Sequence, residues 1–255
     1  MVLTQAQVLL YLGHFLWPFL RITGLFLTAP IYGSSMIPPV IKSILAAAFA
    51  AALALWLPNL PSFPGDPITA IYTGVTQIAF GAMLGMVMQI VISAVACTGE
   101  IAGLAMGLSF AELQFSETPG ITPVLYDIML WAGMLGFFAA GGPVWLFAAL
   151  AHSFDHGTGL GPISSWASLA GLGGTLFSAA VCLAMPVLAA SLCVNLTVGL
   201  TTVFASQMNL LTIGFPLLIL TGLWVMTGSV FYIGHIVQHL MALGMSEITT
   251  MLAHG

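Results

Sequence analysis

The sequence predicts an all-α membrane protein, and three observations support this fold class. Of the 255 residues, 60% are hydrophobic and only 4% are charged, whereas a soluble globular domain has about 25% charged residues. Long stretches carry no formal charge, and residues 156–246 form the longest of them. A helix needs about 20 apolar residues to cross a hydrocarbon core of roughly 30 Å. The composition excludes a soluble enzyme, and two basic residues cannot neutralise the phosphates of a nucleic acid.

Six apolar segments are expected to form the membrane helices. They cover residues 7–29, 39–57, 68–110, 124–150, 166–205 and 210–244. The third, fifth and sixth segments are longer than one span, because about 40 helical residues would reach ~60 Å. Kinks or breaks are therefore expected at Pro186 and Pro216. We interpret the last two segments as one long hairpin that packs against other protein more than against lipid.

Two connecting segments have unusual compositions. Residues 58–67 are too rich in proline to be helical, since each proline restricts its own φ and the residue before it. Residues 111–123 combine acidic residues, glycine and proline with large apolar side chains, which suits an irregular but partly buried segment. At membrane depth such a backbone is tolerated only inside protein or beside a water-filled path. The alternative is an ordinary surface loop between two helices.

Isolated charges and small residues indicate how the helices pack. Arg21 lies within the first apolar segment, and Glu100 is the expected intrachain partner for this buried charge. The alternative is an arginine that extends to the lipid headgroups. Glycines spaced four residues apart form flat faces for close helix packing, as at Gly99, Gly103 and Gly107.

Two histidine pairs leave a second function open. His152 and His156, and likewise His235 and His239, are four residues apart, so each pair would lie on one face of a helix. Such pairs suit a metal ion or a proton path, and the chain would then be a stand-alone secondary transporter. No Cys or Glu at ligand spacing completes either pair, so we predict no metal site. The three cysteines lie in apolar stretches and are interpreted as small buried hydrophobic residues.

A motif near the last segment resembles a known family. Residues 207–209 (Gln-Met-Asn) followed by residues 213–216 (Ile-Gly-Phe-Pro) are similar to the PQMN…IGFP signature of the FliR/SctT family of the type III secretion export apparatus. Arg21 with Gly24, Gly99-Glu100-Ile101 and Ser153-Phe154 also match, so the resemblance covers nearly the whole chain. The chain departs from the family pattern at Val203 and Ser206, where arginine and proline are common.

The resemblance implies a subunit of an export gate. A FliP-like helical part would occupy residues 1–165, and a FliQ-like helical hairpin would occupy residues 166–255. The implied partners are FliP and FliQ homologues, a FlhB-type subunit, basal-body rod proteins and unfolded export substrates. The implied location is the flagellar basal body in the bacterial inner membrane. The gate subunit would have no cofactor and no catalytic cycle.

The resemblance and the glycine pattern together predict two sets of site residues. A loop at about residues 110–123 would plug the channel, with Phe110, Leu113, Phe115, Glu117, Pro119, Gly120 and Pro123 as its principal residues. Packing between subunits would involve Gly99, Gly103, Gly107, Gln207, Met208, Asn209, Gly214 and Pro216.

Overall fold

The fold was analysed in a computed structural model of the chain. The structure describes residues 5–30, 32–33, 37–57, 63–108, 123–154, 163–204 and 210–253. All the regular elements within these ranges are helices, which confirms the all-α prediction. They are α1 (Gln5–Thr28), α2 (Pro39–Trp56), α3 (Pro67–Ala105), α4 (Val124–Ala139), α5 (Gly142–His152), α6 (Ile163–Phe204), α7 (Leu210–Gly228) and α8 (Val230–Ala253).

Four of these helices are long and apolar enough to cross a membrane. They are α1, α2, α3 and α6, and α4 with α5 would make a fifth span if the pair counts as one broken helix. The apolar part of α7, Gly214–Gly228, is shorter. This inventory, taken over the described ranges, agrees with the membrane class that the composition predicts.

The helix breaks differ from the expected ones. Helices α6 and α7 continue through Pro186 and Pro216, so a break at either proline is wrong, whereas a kink there stays a prediction. A proline removes one backbone hydrogen bond, and the remaining bonds of these apolar helices keep the helix continuous. The fourth apolar segment breaks instead at Gly141, whose φ of 69° is left-handed. The sixth breaks at Ser229, whose amide donates to the carbonyls of Val225 and Met226 at 3.0 and 3.1 Å.

The chain forms two compact units, and each unit is made of stretches that are separate in the sequence. The first contains Met1–Ile90, Gly141–Gly171 and Met241–Gly255, and the second contains Val91–Ala140 and Leu172–Leu240. The predicted boundary at residue 165 separates a FliP-like part from a FliQ-like part. These units do not test that likeness, so the boundary stays a prediction.

In the first unit, α1 packs against the first half of α3 and against α2. Asp66 begins α3, and its Oδ2 accepts from the amide and the hydroxyl of Thr69 at 3.3 and 2.9 Å. An aromatic cluster joins α1, α2 and α5, with Phe49 and Phe147 stacked at 4.3 Å and Phe26 edge-on to both. Aromatic pairs in these geometries add to the stabilisation from area burial alone.

In the second unit, the second half of α3 contacts α4 and α6. The face of Gly99 is filled by α4, since a Cβ there would lie 2.8 Å from Cγ of Met129. The hydroxyl of Thr98 donates to the carbonyl of Ala180 on α6 at 3.4 Å. Nearby, a Cβ on Gly136 of α4 would lie 2.6 Å from Cγ1 of Val237 on α8.

Candidate functional site

Arg21 is the centre of the most distinctive polar arrangement that the structure describes. Its side chain is fully buried in the middle of α1. Nε donates to Oε1 of Gln77 on α3 at 2.7 Å, and one terminal nitrogen donates to Oγ of Ser153 at 2.6 Å. Gln77 and Ser153 are themselves buried. A guanidinium, an amide and a hydroxyl from three separate parts of the chain therefore meet inside the first unit, and none of them is negatively charged.

Two aromatic rings complete the surroundings of the guanidinium. Its carbon lies 3.9 Å from the ring centroid of Phe154 and 4.7 Å from that of Phe80. A desolvated cation over an aromatic face gains about 2 kcal/mol from the ring quadrupole. The hydroxyl of Ser153 donates in turn to the carbonyl of Leu150. These groups accept hydrogen bonds or offer π faces, so the arrangement holds α1, α3 and the end of α5 together.

Glycines bring the backbones of α1 and α3 close enough for these contacts. A Cβ on Gly81 would lie 2.8 Å from the carbonyl carbon of Arg21, and a Cβ on Gly85 would lie 2.7 Å from the amide of Ala29. Gly24 of α1 contacts α3 in the same way, since a Cβ on Gly24 would lie 2.9 Å from the carbonyl carbon of Ile78. The sequence pattern of small residues four apart thus corresponds to a close crossing of two helices in the same chain.

A hydroxyl bond crosses the same contact. Oγ1 of Thr28 donates to the carbonyl of Ala82 on α3 at 2.7 Å. A side-chain hydrogen bond between two membrane helices contributes about 0.6 kcal/mol on average. The crossing is therefore built from close backbone approach, one hydroxyl bond and the bridges made by Arg21.

Glu100, expected as the partner of Arg21, has an exposed side chain on α3. The described hydrogen bonds of Arg21 are made with the amide oxygen of Gln77 and the hydroxyl of Ser153 instead. The idea that Glu100 is buried in an assembly stays a prediction.

The residues predicted to pack against other subunits have mixed surroundings. Gly99 and Gly103 are buried, and both face Leu125 of α4 within the chain. Gly214 is buried and Pro216 is exposed on α7, and Gly107 faces an aromatic ring of that helix. Gln207, Met208 and Asn209 lie outside the described residues. Their proposed role between subunits remains a prediction.

The predicted plug loop lies almost entirely outside the described residues. Of its named positions the structure describes Pro123, which precedes α4 with φ −56° and ψ 132°. The other named positions, Phe110, Leu113, Phe115, Glu117, Pro119 and Gly120, lie outside. The plug assignment stays a prediction.

The histidines of the alternative hypothesis are exposed where they are described. His152 is the last residue of α5, and His235 and His239 lie on α8. His156 lies outside the described residues. Over the described ranges, no three or more His, Cys, Asp or Glu side chains come together as metal ligands would. No observation here favours the transporter hypothesis.

Sequence reasoning missed Gln77 as a partner of Arg21. The available signal was an amide inside the uncharged stretch 67–99, which holds two glutamines, Gln77 and Gln89. An amide at that depth needs a hydrogen-bond partner, and the only arginine of the chain is the strongest donor on offer. Ser153 and Phe154 were noted as part of the family pattern but were not connected with Arg21.

Large apolar side chains stay exposed along α2 and α6. Only 11% of the α2 span is buried, and 28% of the α6 span. The exposed large apolar side chains of α6 are Phe177, Met185, Leu192, Leu196, Leu200, Val203 and Phe204. Four glycines of α6, at positions 171, 173, 174 and 199, also face open space, since a Cβ there would meet nothing within 4 Å.

The fold and this site define a helical membrane protein whose helices are joined by close glycine contacts and one buried arginine. Comparison with known proteins identifies the family. The model of the bacterial export proteins, family 1, matches residues 12–244. The flagellar biosynthetic protein FliR of Escherichia coli (strain K12) is 36% identical over 256 residues, which cover 98% of this chain and 95% of the relative.

More distant relatives carry the same name. FliR of Pectobacterium carotovorum is 31% identical over 95% of this chain and 92% of its own length. FliR of Bacillus subtilis (strain 168) is 22% identical over 94% of each chain. The chain therefore belongs to the bacterial export proteins, family 1, the family of FliR, as the sequence motifs predicted. It is a membrane-embedded component of flagellar protein export.

Proposed function

We propose that this chain is a non-enzymatic subunit of the flagellar type III protein export gate. It would form, with FliP and FliQ homologues, a closed channel for unfolded flagellar proteins in the bacterial inner membrane. The observation that carries the proposal is the full-length similarity to flagellar biosynthetic proteins. Contacts with a FlhB-type subunit and with rod proteins of the basal body belong to the same proposal.

The exposed surface of α6 supports a role inside a larger assembly. Its apolar side chains and open glycines lie on a helix assigned to the FliQ-like part, residues 166–255. Open glycines admit the backbone of a neighbouring helix, whereas lipid tails gain nothing from them. Residues 1–165 would form the FliP-like part, in which Arg21 holds α1, α3 and the end of α5 in place.

The loop at residues 110–123 would plug the channel when no substrate is present. An idle export channel has to hold back ions and water yet admit an unfolded chain. An apolar constriction does this by dewetting, and the loop carries two phenylalanines, a leucine and an isoleucine together with glycine and proline.

The first experiment asks what the chain assembles with. The tagged protein is purified from its native host in mild detergent, and co-purifying proteins are identified by mass spectrometry. We expect FliP and FliQ homologues in stable ratios, and we expect the same chain produced alone to aggregate. A thermally stable monomer that co-purifies with neither homologue would refute the proposal.

A second experiment tests the plug. Shortening the loop between Phe110 and Pro123 should leave assembly intact but raise the ion conductance of the idle complex in planar bilayers. Unchanged conductance would refute the plug assignment without affecting the subunit assignment.

A third experiment separates the gate from the transporter. Replacing His152, His156, His235 and His239 together by Gln removes both histidine pairs on which the transporter hypothesis rests. The gate hypothesis predicts that swimming motility and flagellin export persist at wild-type levels. Their loss would count against the gate as drawn.

A further inference from the structure

A groove lies between α1 and α2, two helices of the first unit. Its volume is about 190 Å³, whereas pockets for drug-sized ligands have about 300–1,000 Å³. Residues three or four positions apart on each helix line it: Thr23, Phe26 and Leu27 on α1, and Lys42, Ser43 and Ala46 on α2. The groove therefore has room for one part of a long, flexible ligand.

The walls of the groove are largely apolar, although they include two hydroxyl groups. Oγ1 of Thr23 donates to the carbonyl of Phe19 at 2.7 Å, and Oγ of Ser43 donates to the carbonyl of Val40 at 2.8 Å. Each hydroxyl hydrogen is thus used within its own helix. The groove offers a ligand mainly carbon surface, which matches an acyl chain.

Lys42 adds a positive charge to this apolar groove. Among the lining residues that the structure describes, it is the one charged side chain. It is also the only lysine of a chain with a net charge of −5, and the only arginine, Arg21, is fully buried. Basic pockets between membrane helices bind anionic lipid headgroups. Lys42 is therefore the one lysine or arginine that this chain can offer to such a headgroup.

The length of α2 places Lys42 at the depth of the headgroups. Helix α2 has 18 residues, which span ~27 Å and match a hydrocarbon core of roughly 30 Å. Lys42 lies in its first turn, and the exposed Trp56 is its last residue. Lysine extends to the headgroups, and tryptophan is enriched at the membrane interface. Both ends of α2 thus carry side chains that are typical of the interface.

The lining residues run inward from this end on both helices. Leu27 is one residue before the end of α1, and Phe19 lies two turns earlier. On α2, Ala46 lies one turn beyond Lys42. The charged end of the groove is therefore at the headgroups, and its apolar end is in the hydrocarbon core.

A phospholipid fits the groove better than a helix of another protein does. One turn of a helix, about 10 Å wide and 5.4 Å long, occupies on the order of 400 Å³, twice the volume of the groove. An acyl chain is much thinner, and an anionic headgroup supplies the negative charge that Lys42 attracts. We propose that the groove binds a phospholipid with an anionic headgroup, with its phosphate at Lys42 and one acyl chain between α1 and α2.

Photo-crosslinking identifies the occupant directly. The amino acid p-benzoyl-phenylalanine replaces Leu27, an exposed residue of the groove, and the chain is purified together with its co-purifying subunits. The complex is placed in vesicles of phosphatidylethanolamine with phosphatidylglycerol as the minor lipid, irradiated, and analysed by mass spectrometry. Among the adducts, the ratio of phosphatidylglycerol to phosphatidylethanolamine should exceed that of the vesicles about fivefold, the factor that one basic residue near the membrane surface gives.

Two variants and one control position test the role of the charge. Lys42→Gln should return the adduct ratio to that of the vesicles, and Lys42→Arg should keep it high. The control places the crosslinker at Ile44, an exposed residue two positions from Lys42 and so on the opposite side of α2. There the ratio should equal that of the vesicles. An adduct with a peptide of a partner subunit, no lipid adduct at Leu27, or a ratio unchanged in Lys42→Gln overturns the proposal.

A second readout needs no crosslinker. A ligand that binds the folded state raises the midpoint of thermal unfolding. Phosphatidylglycerol added to the complex in mild detergent should raise the midpoint at which the tagged chain aggregates, and the rise should be smaller in Lys42→Gln than in Lys42→Arg. Equal rises in both variants and in the wild type overturn the proposal. Neither readout depends on which subunits co-purify, so both are independent of the gate assignment.

Discussion

The close contact between α1 and α3 predicts a large effect for Gly81→Ala. The added Cβ would lie 2.8 Å from the carbonyl carbon of Arg21, 3.0 Å from the amide nitrogen of Leu25, and closer still to the carbonyl oxygen of Arg21. Ordinary contacts of a Cβ lie at 3.4–4 Å. All three atoms belong to the backbone, so no side chain can turn aside. Helix α1 would have to move away by on the order of 1 Å.

The cost has two parts. Overpacking a well-packed contact costs about 1–3 kcal/mol. Moving α1 also lengthens the 2.7 Å bond between Arg21 and Gln77, and a hydrogen bond to a charged group contributes about 1.5–3 kcal/mol. The total is about 2.5–6 kcal/mol, a large fraction of the ~5–15 kcal/mol that holds a typical protein folded.

The matched control is Gly74→Ala on the same helix. Its Cβ would lie 3.5 Å from Cδ1 of Leu20, an ordinary contact, and both substitutions raise helix propensity equally. The assay heats the purified complex in detergent and follows aggregation of the tagged chain. At roughly 2–4 °C per kcal/mol for a chain of this size, Gly81→Ala should lower the midpoint by on the order of 10 °C. A midpoint equal to that of Gly74→Ala would refute the close crossing.

Three further substitutions have clear expectations. Arg21→Lys should cost about 2 kcal/mol in the same heating assay, because an ammonium lacks the planar fork that reaches two acceptors; an unchanged midpoint would contradict the described bonds. Asp66→Ala should cost about 1 kcal/mol and speed hydrogen exchange at the amide of Thr69, whereas Asp66→Asn keeps the cap. Gly141→Ala should cost about 1–2 kcal/mol from backbone conformation alone, since its Cβ would meet nothing within 4 Å. Gly141→Asn, which tolerates a left-handed φ better, should cost less.

Proline punctuation made several helix boundaries predictable. The second apolar segment was expected at residues 39–57, and α2 covers Pro39–Trp56. The third was expected to begin near residue 68, and α3 begins at Pro67 after the cap formed by Asp66. Proline suits the first turn of a helix because its missing amide hydrogen would have no partner there. Local chemistry thus determines where these helices start.

Breaks inside the apolar segments were harder to predict. The break at Gly141 had a local signal, since Gly141-Gly142-Pro143 combines a residue that tolerates a positive φ with a proline suited to a first turn. Ser229 had no comparable signal, because serine in a helix is common and its side chain here bonds back to the carbonyl of Val225. Kinks or breaks were predicted at Pro186 and Pro216 instead, because proline is the usual cause of a helix break.

The surroundings of Arg21 show why a buried charge is hard to pair from sequence. An opposite charge was the expected partner, and Glu100 was the candidate because formal charges are few in this chain. A guanidinium needs acceptors and a low cost of desolvation, and neutral oxygens and aromatic faces provide both. Gln77 and Phe154 are far from Arg21 in sequence, so only the close crossing of α1 and α3 and the position of α5 reveal them as partners.

Hydropathy alone did not separate core helices from exposed ones. The spans of α3 and α6 have the same mean hydropathy, yet 61% of the first is buried and 28% of the second. The two helices differ in the surroundings of their glycines. Another helix of the same chain packs against Gly81, Gly85 and Gly99 of α3, whereas the glycines of α6 face open space. Small residues have a structural use in a membrane only where another backbone approaches them. The open glycines of α6 are therefore the positions at which we expect helices of neighbouring subunits to complete the packing that α3 achieves within the chain.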